Sequence, residues 1–157
     1  MMDEITHEIL RWKVETQGHL KNKVLLMLFY GIHGVYKFLF LKHVVYRRRF
    51  MQSIPLDEKV FIGGDLNGHV GAGNDGFERV HGGFGYGNRN EEGESILEFA
   101  SAYDLVLANT SFRKRESHII TFSSGYNNSQ IDFLLTRKID RKICRDCKVI
   151  PGEALTT

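Results

Sequence analysis

The chain has 157 residues, enough for one domain with a hydrophobic core and too few for two comfortable ones. Hydrophobic residues make up 42% and charged residues 25%, which excludes an intrinsically disordered, collagen-like or disulfide-dense protein. The formal net charge of +2 argues against a strongly electrostatic nucleic-acid binder, but it leaves room for a local basic patch.

The N-terminal segment differs in composition from the rest of the chain. Residues 1–53 are rich in large apolar and basic side chains, whereas most glycines and turn signals follow in residues 54–157. Apolar residues near helical spacing predict a short amphipathic helix within residues 2–20. We therefore predict a helical N-terminal segment over 1–53 and a separate domain over 54–157.

The apolar stretch 24–46 raises the question of a membrane, because three arginines follow it directly. Lys37 and Lys42 interrupt the stretch, however, and its longest uncharged run is shorter than the roughly 20 residues that span a bilayer. The pattern favours an interfacial or core helix, with a membrane-spanning helix and a poorly folded segment as alternatives. An acidic, polar stretch comes first, so we expect no secretory signal.

The second region alternates strand, loop and helix signals. The run "KVFIGGD" predicts a buried strand that ends at a loop, and the glycine-rich residues 71–93 predict a long irregular loop, either a mobile cover or an idle surface loop. "ESILEFASAYD" predicts a helix of about ten residues. The runs "LVLANT", "HIITFSS", "QIDFLLT" and "CKVIPG" predict further strands, separated by polar turns such as "SGYNNS". This order indicates an α/β or α+β sheet protein.

Both cysteines lie in "CRDC", as Cys144 and Cys147. Such a pair is half of a zinc site, a redox pair, or two solvent-side thiols. No second Cys/His pair at zinc spacing accompanies it, so we favour a reduced, intracellular protein in the nucleus or cytoplasm.

Two polar side chains, Asp65 and Asn67, follow the apolar run in "FIGGDLNGHVG". Residues two apart in a strand point to the same face, so both could address one ligand. A carboxylate can hold a hard cation or take a proton from water, and a carboxamide can donate to a phosphate oxygen. The alternative is that the two residues only shape a glycine-rich turn.

These residues also carry a resemblance to a known family. "FIGGDLN" resembles the G-D-x-N strand of the endonuclease/exonuclease/phosphatase superfamily, which includes DNase I and the endonucleases of LINE-type retrotransposons. "SQIDFLLT" resembles the family's (R/S)-x-(I/L)-D-(Y/F)-x-L strand, with "LVLANT" and "IITFSS" between them in the family's order. Over about residues 58–157, the chain most resembles plant proteins of the craniofacial development protein 2-like group.

The resemblance implies the C-terminal half of a DNase I-like four-layer α/β sandwich. It implies a partial, retroelement-derived phosphodiesterase or endonuclease acting on nucleic acid, DNA more than RNA, with Mg²⁺ as the cofactor. Asp65 would orient or deprotonate the attacking water and would be the candidate magnesium ligand in an incomplete site. Asn67 would hold the scissile phosphate, and Asp132 would orient a catalytic histidine.

The departures from the family pattern are as informative as the matches. The family's magnesium-binding glutamate belongs to the first half of the domain, and nothing before Ile54 resembles that half. The family's catalytic histidine follows the last strands, whereas this chain ends at "ALTT". We expect none of His69, His81 or His118 to replace it, so the resemblance implies a chain that is inactive alone.

Two other interpretations stay open. A non-catalytic remnant could bind nucleic acid or phosphate through the basic stretches "RKRES" and "TRKIDRKICR", although such runs are usually solvated surface. Alternatively, the chain is a small membrane-associated protein with a vestigial nuclease half. In either case half a sandwich would leave an apolar inner sheet face open, unless residues 24–46 cover it. The oligomeric state and the substrate are left open by the sequence.

Overall fold

The computed structural model describes residues 12–16, 24–29, 51–52, 54–56 and 59–150. Within them the chain forms one complete α-helix, eight strands and three short 3₁₀ helices, and Met51 and Gln52 are also helical. The strands are β1 (Trp12–Thr16), β2 (Val24–Phe29), β3 (Lys59–Asp65), β4 (Leu105–Leu107), β5 (Phe122–Ser124), β6 (Asn127–Ser129), β7 (Asp132–Arg137) and β8 (Cys144–Val149), and the helix is α1 (Glu91–Ala102).

A mixed four-stranded sheet forms the centre, in the order β2-β3-β7-β4. Strand β2 is parallel to β3, while β7 is antiparallel to both β3 and β4. Strands β1 and β8 form a second, two-stranded sheet, and β5 and β6 form a hairpin. The predicted mixed α/β class is confirmed.

Helix α1 forms where its stripe of apolar residues was predicted, but it begins earlier. Asn90 provides the N-cap, because its side chain accepts a hydrogen bond from the Gly93 amide, and acidic residues occupy the first turn next to the positive end of the helix dipole. The helix ends at Ala102, and Tyr103 is its C-cap. The buried helix residues are Gly93, Ile96, Leu97, Phe99 and Ala100.

Two hydrophobic clusters lie on opposite faces of the central sheet, as the two-residue period of strands requires. On one face the helix packs against β3, β4 and β7, and each side chain fully buried there contributes roughly 1.5–3 kcal/mol. The buried members of this cluster include Val60, Ile62, Ile96, Leu97, Leu105, Leu107, Phe133 and Leu135. The cluster on the other face is smaller and consists of Phe61, Ala108, Leu134, Cys144 and Cys147.

The smaller cluster bears on the expectation of an open inner sheet face. Within the described residues, Phe61 and Leu134 of that face are covered by Ala108 and by the two cysteines of β8. The residues that cover this sheet face therefore belong to the C-terminal part of the chain.

The predicted N-terminal helices are wrong over residues 12–16 and 24–29, whereas Met51 and Gln52, at the end of the predicted helical segment, are helical. Residues 12–16 and 24–29 are strands, since β1 pairs with β8 and β2 pairs with β3. "VLLMLF" is a continuous apolar run, a pattern that fits a strand as well as a helix, and pairing with β3 decides between them. The rest of both predicted helices lies outside the described residues, and the boundary at residue 53 stays a prediction. No helix in the described part is long and apolar enough to cross a bilayer.

Smaller differences concern strand lengths in the C-terminal part. "LVLANT" forms only the short strand β4 and then a 3₁₀ helix, Ala108–Thr110. The predicted turn "SGYNNS" contains strand β6, because Gly125 adopts a φ of 59° and lets the chain reverse within a tight hairpin. Strands β3 and β7 lie where the sequence predicted them, whereas β8 begins earlier than the predicted run "CKVIPG", at Cys144, and only the end of "HIITFSS" forms a strand, β5.

Candidate functional site

Asp65 and Asp132 come together at one end of the central sheet. They are direct partners in the antiparallel register of β3 and β7, where they form the last pair of the ladder. The two-residue period places Asp65 on the same face as Phe61, and Asp132 on the same face as Leu134. The two motifs that carry the family resemblance therefore meet, carboxylate opposite carboxylate.

Asn67 lies just beyond the strand, in a turn. Strand β3 ends at Asp65, and Asn67 has a φ of 50°, so the predicted strand period does not extend to Asn67. Its backbone amide donates to Oδ1 of Asp65 at 2.9 Å, which is an Asx-type turn. Asparagine tolerates this left-handed conformation better than most residues. Asp65 and Asn67 therefore do shape a turn, as the alternative interpretation predicted. The Asn67 side chain is exposed and lies two positions after Asp65 in the sequence.

The start of helix α1 holds the loop that follows Asn67. Oδ1 of Asn90 accepts from the His69 amide at 2.9 Å and from the Gly93 amide at 2.8 Å. The backbones approach so closely that a Cβ on Gly93 would lie 1.7 Å from the carbonyl oxygen of His69. Asn90 therefore positions the candidate site on a rigid element.

Two buried polar residues that the sequence interpretation missed hold Asp132 in place. Oγ1 of Thr121 accepts from the amides of Ile131 at 2.9 Å and Asp132 at 3.2 Å. Asn109 is fully buried; its Nδ2 donates to the Asp132 carbonyl at 3.3 Å, and its Oδ1 accepts from the Leu134 amide at 3.2 Å. The only sequence signal was a polar residue inside each of the apolar runs "LVLANT" and "HIITF".

Gln130 is a third residue that the sequence interpretation missed. It is only 3% exposed, yet neither Oε1 nor Nε2 of its side chain has a hydrogen-bond partner among the described residues. The ladder continues past the last strand pair, since the Leu66 amide donates to the Ile131 carbonyl at 2.8 Å. Beyond Leu66 and Ile131, the next residues of the two paired segments are Asn67 and Gln130.

The donor set falls short of a complete magnesium site. Asp65 and Asp132 supply carboxylates, the ligand type that Mg²⁺ uses, but the described residues contain no group of three or more histidine, cysteine, aspartate or glutamate side chains able to hold a metal ion.

The imidazole rings of His81 and His118 form hydrogen bonds with backbone groups. His81 is 1% exposed; its Nδ1 accepts from the Gly83 amide at 2.9 Å, so its Nε2 carries the proton and donates to the Gly71 carbonyl at 3.1 Å. Burial lowers the pKa of His81 to about 4, and the imidazole is neutral at pH 7. Nδ1 of His118 donates to the Val149 carbonyl at 2.9 Å.

Three of the eight basic side chains proposed for nucleic-acid binding serve the fold. Arg137 is buried and donates to the carbonyls of Pro55 and Ile54, at 2.7 and 2.9 Å. Lys114 donates to the Cys147 carbonyl at 2.7 Å, and Arg141 stacks on the Phe112 ring. The exposed members of the two stretches are Arg113, Arg115, Lys138, Lys142 and Arg145.

Both cysteines are buried free thiols, so the solvent-side alternative is wrong. A shift in the β1–β8 register next to Thr16 and Cys144 is a bulge, and both cysteines point into the same cluster. Burial raises the pKa of Cys144 and of Cys147, and the two thiols pack as small apolar side chains.

No protein-family model and no solved structure matches the chain. Curated relatives do: the chain is 32% identical over 104 residues to craniofacial development protein 2 of Tragulus javanicus and of Bos taurus. The aligned part covers 65% of this chain, but only 18% and 17% of those relatives. The chain thus spans less than a fifth of the length of the curated relatives it matches, and its similarity is to part of craniofacial development protein 2, the name that the sequence motifs had suggested.

Proposed function

We propose that the chain is a segment of an endonuclease/exonuclease/phosphatase-type domain of retroelement origin. It binds nucleic-acid phosphodiesters, DNA in preference to RNA, and does not cleave them by itself. One observation carries this proposal: the pairing of β3 with β7 makes Asp65 and Asp132, from two motifs far apart in the chain, direct partners in one ladder.

The residues at this end of the sheet suit a phosphodiester. Asn67 is exposed and has a carboxamide that can donate to a phosphate oxygen, whereas Asp65 can orient a water molecule against the phosphorus. Asp132 is the residue that would orient an imidazole, as a carboxylate does in hydrolytic triads. Its backbone is held on both sides by Asn109 and Thr121, which gives it a defined position.

We expect no cleavage because Asp65 and Asp132 need a magnesium ion and a catalytic imidazole as partners. Among the described residues no third acidic ligand joins Asp65 and Asp132, so the proposal has no complete magnesium site to neutralise charge developing on the phosphate. His81 cannot serve as the imidazole, because both of its ring nitrogens are engaged with backbone groups and it is buried.

The test combines plasmid nicking with DNA binding. Purified protein and an Asp65→Ala variant are incubated with supercoiled plasmid in magnesium, and binding to a labelled duplex is measured over a salt series. We expect binding that weakens as salt rises and no nicking by either protein. Nicking that disappears in Asp65→Ala would refute the lack of cleavage, and no binding even at low salt would refute the nucleic-acid function.

A second candidate is a binding remnant that uses its basic surface and not the Asp65 end of the sheet. Five exposed lysines and arginines in the stretches 113–117 and 136–145 favour it. Two variants separate the candidates. One replaces Arg113, Arg115 and Lys142 by glutamate, and the other is Asn67→Ala. Loss of binding only in the triple variant favours the basic surface, whereas loss in Asn67→Ala favours the phosphodiester site.

A further inference from the structure

We propose that a cationic cleft beside β4 binds a terminal phosphate group, either inorganic phosphate or the phosphomonoester end of a nucleotide chain. The cleft has a volume of about 250 Å³, and three cationic side chains line it: Arg79, Lys138 and Arg141. Arg79 comes from the glycine-rich loop, whereas the other two come from the 3₁₀ helix Lys138–Ile143. The site goes beyond the proposed function, because it does not involve the Asp65–Asp132 pair.

The cleft lies at the opposite end of β7 from Asp132. Strand β7 runs from Asp132 to Arg137, and Lys138 follows it directly. At the rise of an extended strand, Asp132 and Lys138 are roughly 20 Å apart. This separation exceeds the Debye length of about 8 Å at physiological ionic strength, so repulsion by the carboxylate pair is largely screened at the cleft.

The uncharged polar groups of the cleft wall are already hydrogen-bonded. The His81 ring uses both of its nitrogens on backbone groups, and the Gly82 amide donates to Oγ1 of Thr110 at 3.0 Å. Oγ of Ser111 donates to the Leu107 carbonyl at 3.2 Å. Because these donors are engaged, a ligand in the cleft meets mainly positive charge, and positive charge selects an anion.

The three cations differ in how firmly they are held. Nη1 and Nη2 of Arg141 donate to two backbone carbonyls, at 3.1 and 3.4 Å, and its Cζ lies 4.4 Å from the centre of the Phe112 ring. A guanidinium has five N–H donors, so this fixed group keeps donors for a ligand. Arg79 and Lys138 are exposed, and within the described residues no hydrogen bond or ion pair engages either side chain. An ordered guanidinium next to two available cations fits phosphate oxygens.

The charge of the cleft favours a terminal phosphate over an internal phosphodiester. Three cationic side chains and one acidic side chain, Glu78, line it, so their net charge is +2. Oε1 of Glu78 accepts from the Gly76 amide at 3.0 Å, which directs that oxygen to its own turn. A phosphomonoester carries about −1.5 to −2 charges at pH 7, whereas a phosphodiester carries about one. The terminal group therefore matches the cleft better.

Titration of the ¹⁵N-labelled full chain with inorganic phosphate at constant ionic strength tests the inference. We expect saturable shifts of the amide resonances of residues 79–82 and 138–141, with a dissociation constant on the order of 1 mM. Arg79→Gln should weaken binding about tenfold, and Glu78→Gln should tighten it about threefold because it removes the acid. Asn88→Asp is the matched control: it lies outside the cleft, lowers the net charge by the same unit as Arg79→Gln, and should change affinity by less than about twofold.

Two dinucleotides distinguish the sources of the phosphate. Dithymidylate with a 5′-phosphate should shift the same resonances, and dithymidylate with a 5′-hydroxyl should not. Shifts with inorganic phosphate but with neither dinucleotide would support the site and assign it to free phosphate.

Three outcomes would overturn the inference: no saturable shift with inorganic phosphate, equal losses in Arg79→Gln and Asn88→Asp, or equal shifts with the two dinucleotides. Binding of duplex DNA is measured separately. Its absence beside intact phosphate binding would refute the proposed function alone.

Discussion

Two irregular connections flank the Asp65–Asp132 pair, and the structure holds them in different ways. Residues 66–90 are tied down throughout: Ala72 bonds to Gly87, Phe84 bonds to Thr110, and the Arg89 guanidinium donates to the carbonyls of Val70, Gly73 and Asp75. The hairpin of β5 and β6 instead has only exposed or half-exposed residues, with Tyr126 fully exposed at its tip.

The glycines of residues 66–90 serve close backbone contact. A Cβ on Gly85 would lie 2.0 Å from the Gly71 carbonyl oxygen, and one on Gly82 would lie 2.4 Å from Cα of Ser111. These glycines permit close backbone contact, so the loop they form is packed. The alternatives of a mobile cover and an idle surface loop both stay predictions.

Gly85→Ala should have the largest effect on this contrast. The new methyl group would overlap a backbone oxygen that cannot move alone, so we expect a loss of about 3 kcal/mol in the free energy of unfolding. Denaturant titration measures it. Gly87→Ala is the matched control: Gly87 has a φ of 66° but open space around it, so only about 1 kcal/mol of backbone strain is expected. Equal losses in the two variants would contradict close packing of the loop.

The neutral state of His81 predicts acid sensitivity of the same loop. Burial lowers the pKa of His81 from 6.5 in the unfolded chain to about 4, so the unfolded state binds the extra proton between these values. The stabilising contribution is complete above pH 6.5 and is lost as the pH falls to 4, by about 3 kcal/mol.

Unfolding titrations of wild type and His81→Gln at pH 7, 5.5 and 4 measure this contribution. The variant should lose less stability over that interval, because it has no imidazole to protonate at this position, while the other histidines titrate in both proteins. Identical pH profiles would show that His81 is not the group responsible.

Asn90→Ala tests the tie between the loop and helix α1. Alanine removes the acceptor for both the His69 and Gly93 amides, and a loss of about 1–2 kcal/mol in unfolding free energy is expected. Ser95→Ala is the control, since Ser95 bonds only to the exposed Glu91 carbonyl within the helix, and its change should stay within about 0.5 kcal/mol. An Asn90 effect no larger than the Ser95 effect would mean that the cap does not hold the loop.

Tyr126→Ser should have the smallest effect, because the Tyr126 side chain is fully exposed. The free energy of unfolding is expected to change by no more than about 0.5 kcal/mol. Hydrogen exchange sharpens the contrast: amides of Asn127 and Asn128 should exchange through local opening, whereas those of Gly83 and Gly85 should require larger openings. Stronger protection in the hairpin than in the loop would reverse the comparison.

The elements that the sequence predicted well carry local signals. Strands β3 and β7 are short apolar runs bounded by glycine or polar residues, and helix α1 has a clear apolar stripe. Strand β2 was missed because its run of six apolar residues has no period, and only its parallel pairing with β3 makes it a strand. Strand β6 is polar and exists through its hairpin partner.

The candidate site was predictable only in part, because long-range pairing is not visible in the local sequence. Asp65 and Asp132 stand in motifs that are legible in the sequence, but their direct pairing depends on register. Asn109, Thr121 and Gln130 owe their positions to contacts or burial set by distant parts of the chain, and nothing in the neighbouring sequence specifies them.

The pairing of β1 with β8 has a consequence for synthesis on the ribosome. Trp12 is the register partner of Val149, so β1 is synthesised well before the strand with which it pairs. Contacts this distant in sequence form slowly, because closing a long loop costs chain entropy before the pairing compensates for it. Residues 12–16 cannot form this pairing until residues 144–149 have been synthesised, and a chain stalled before Cys144 would expose that edge to other nascent chains.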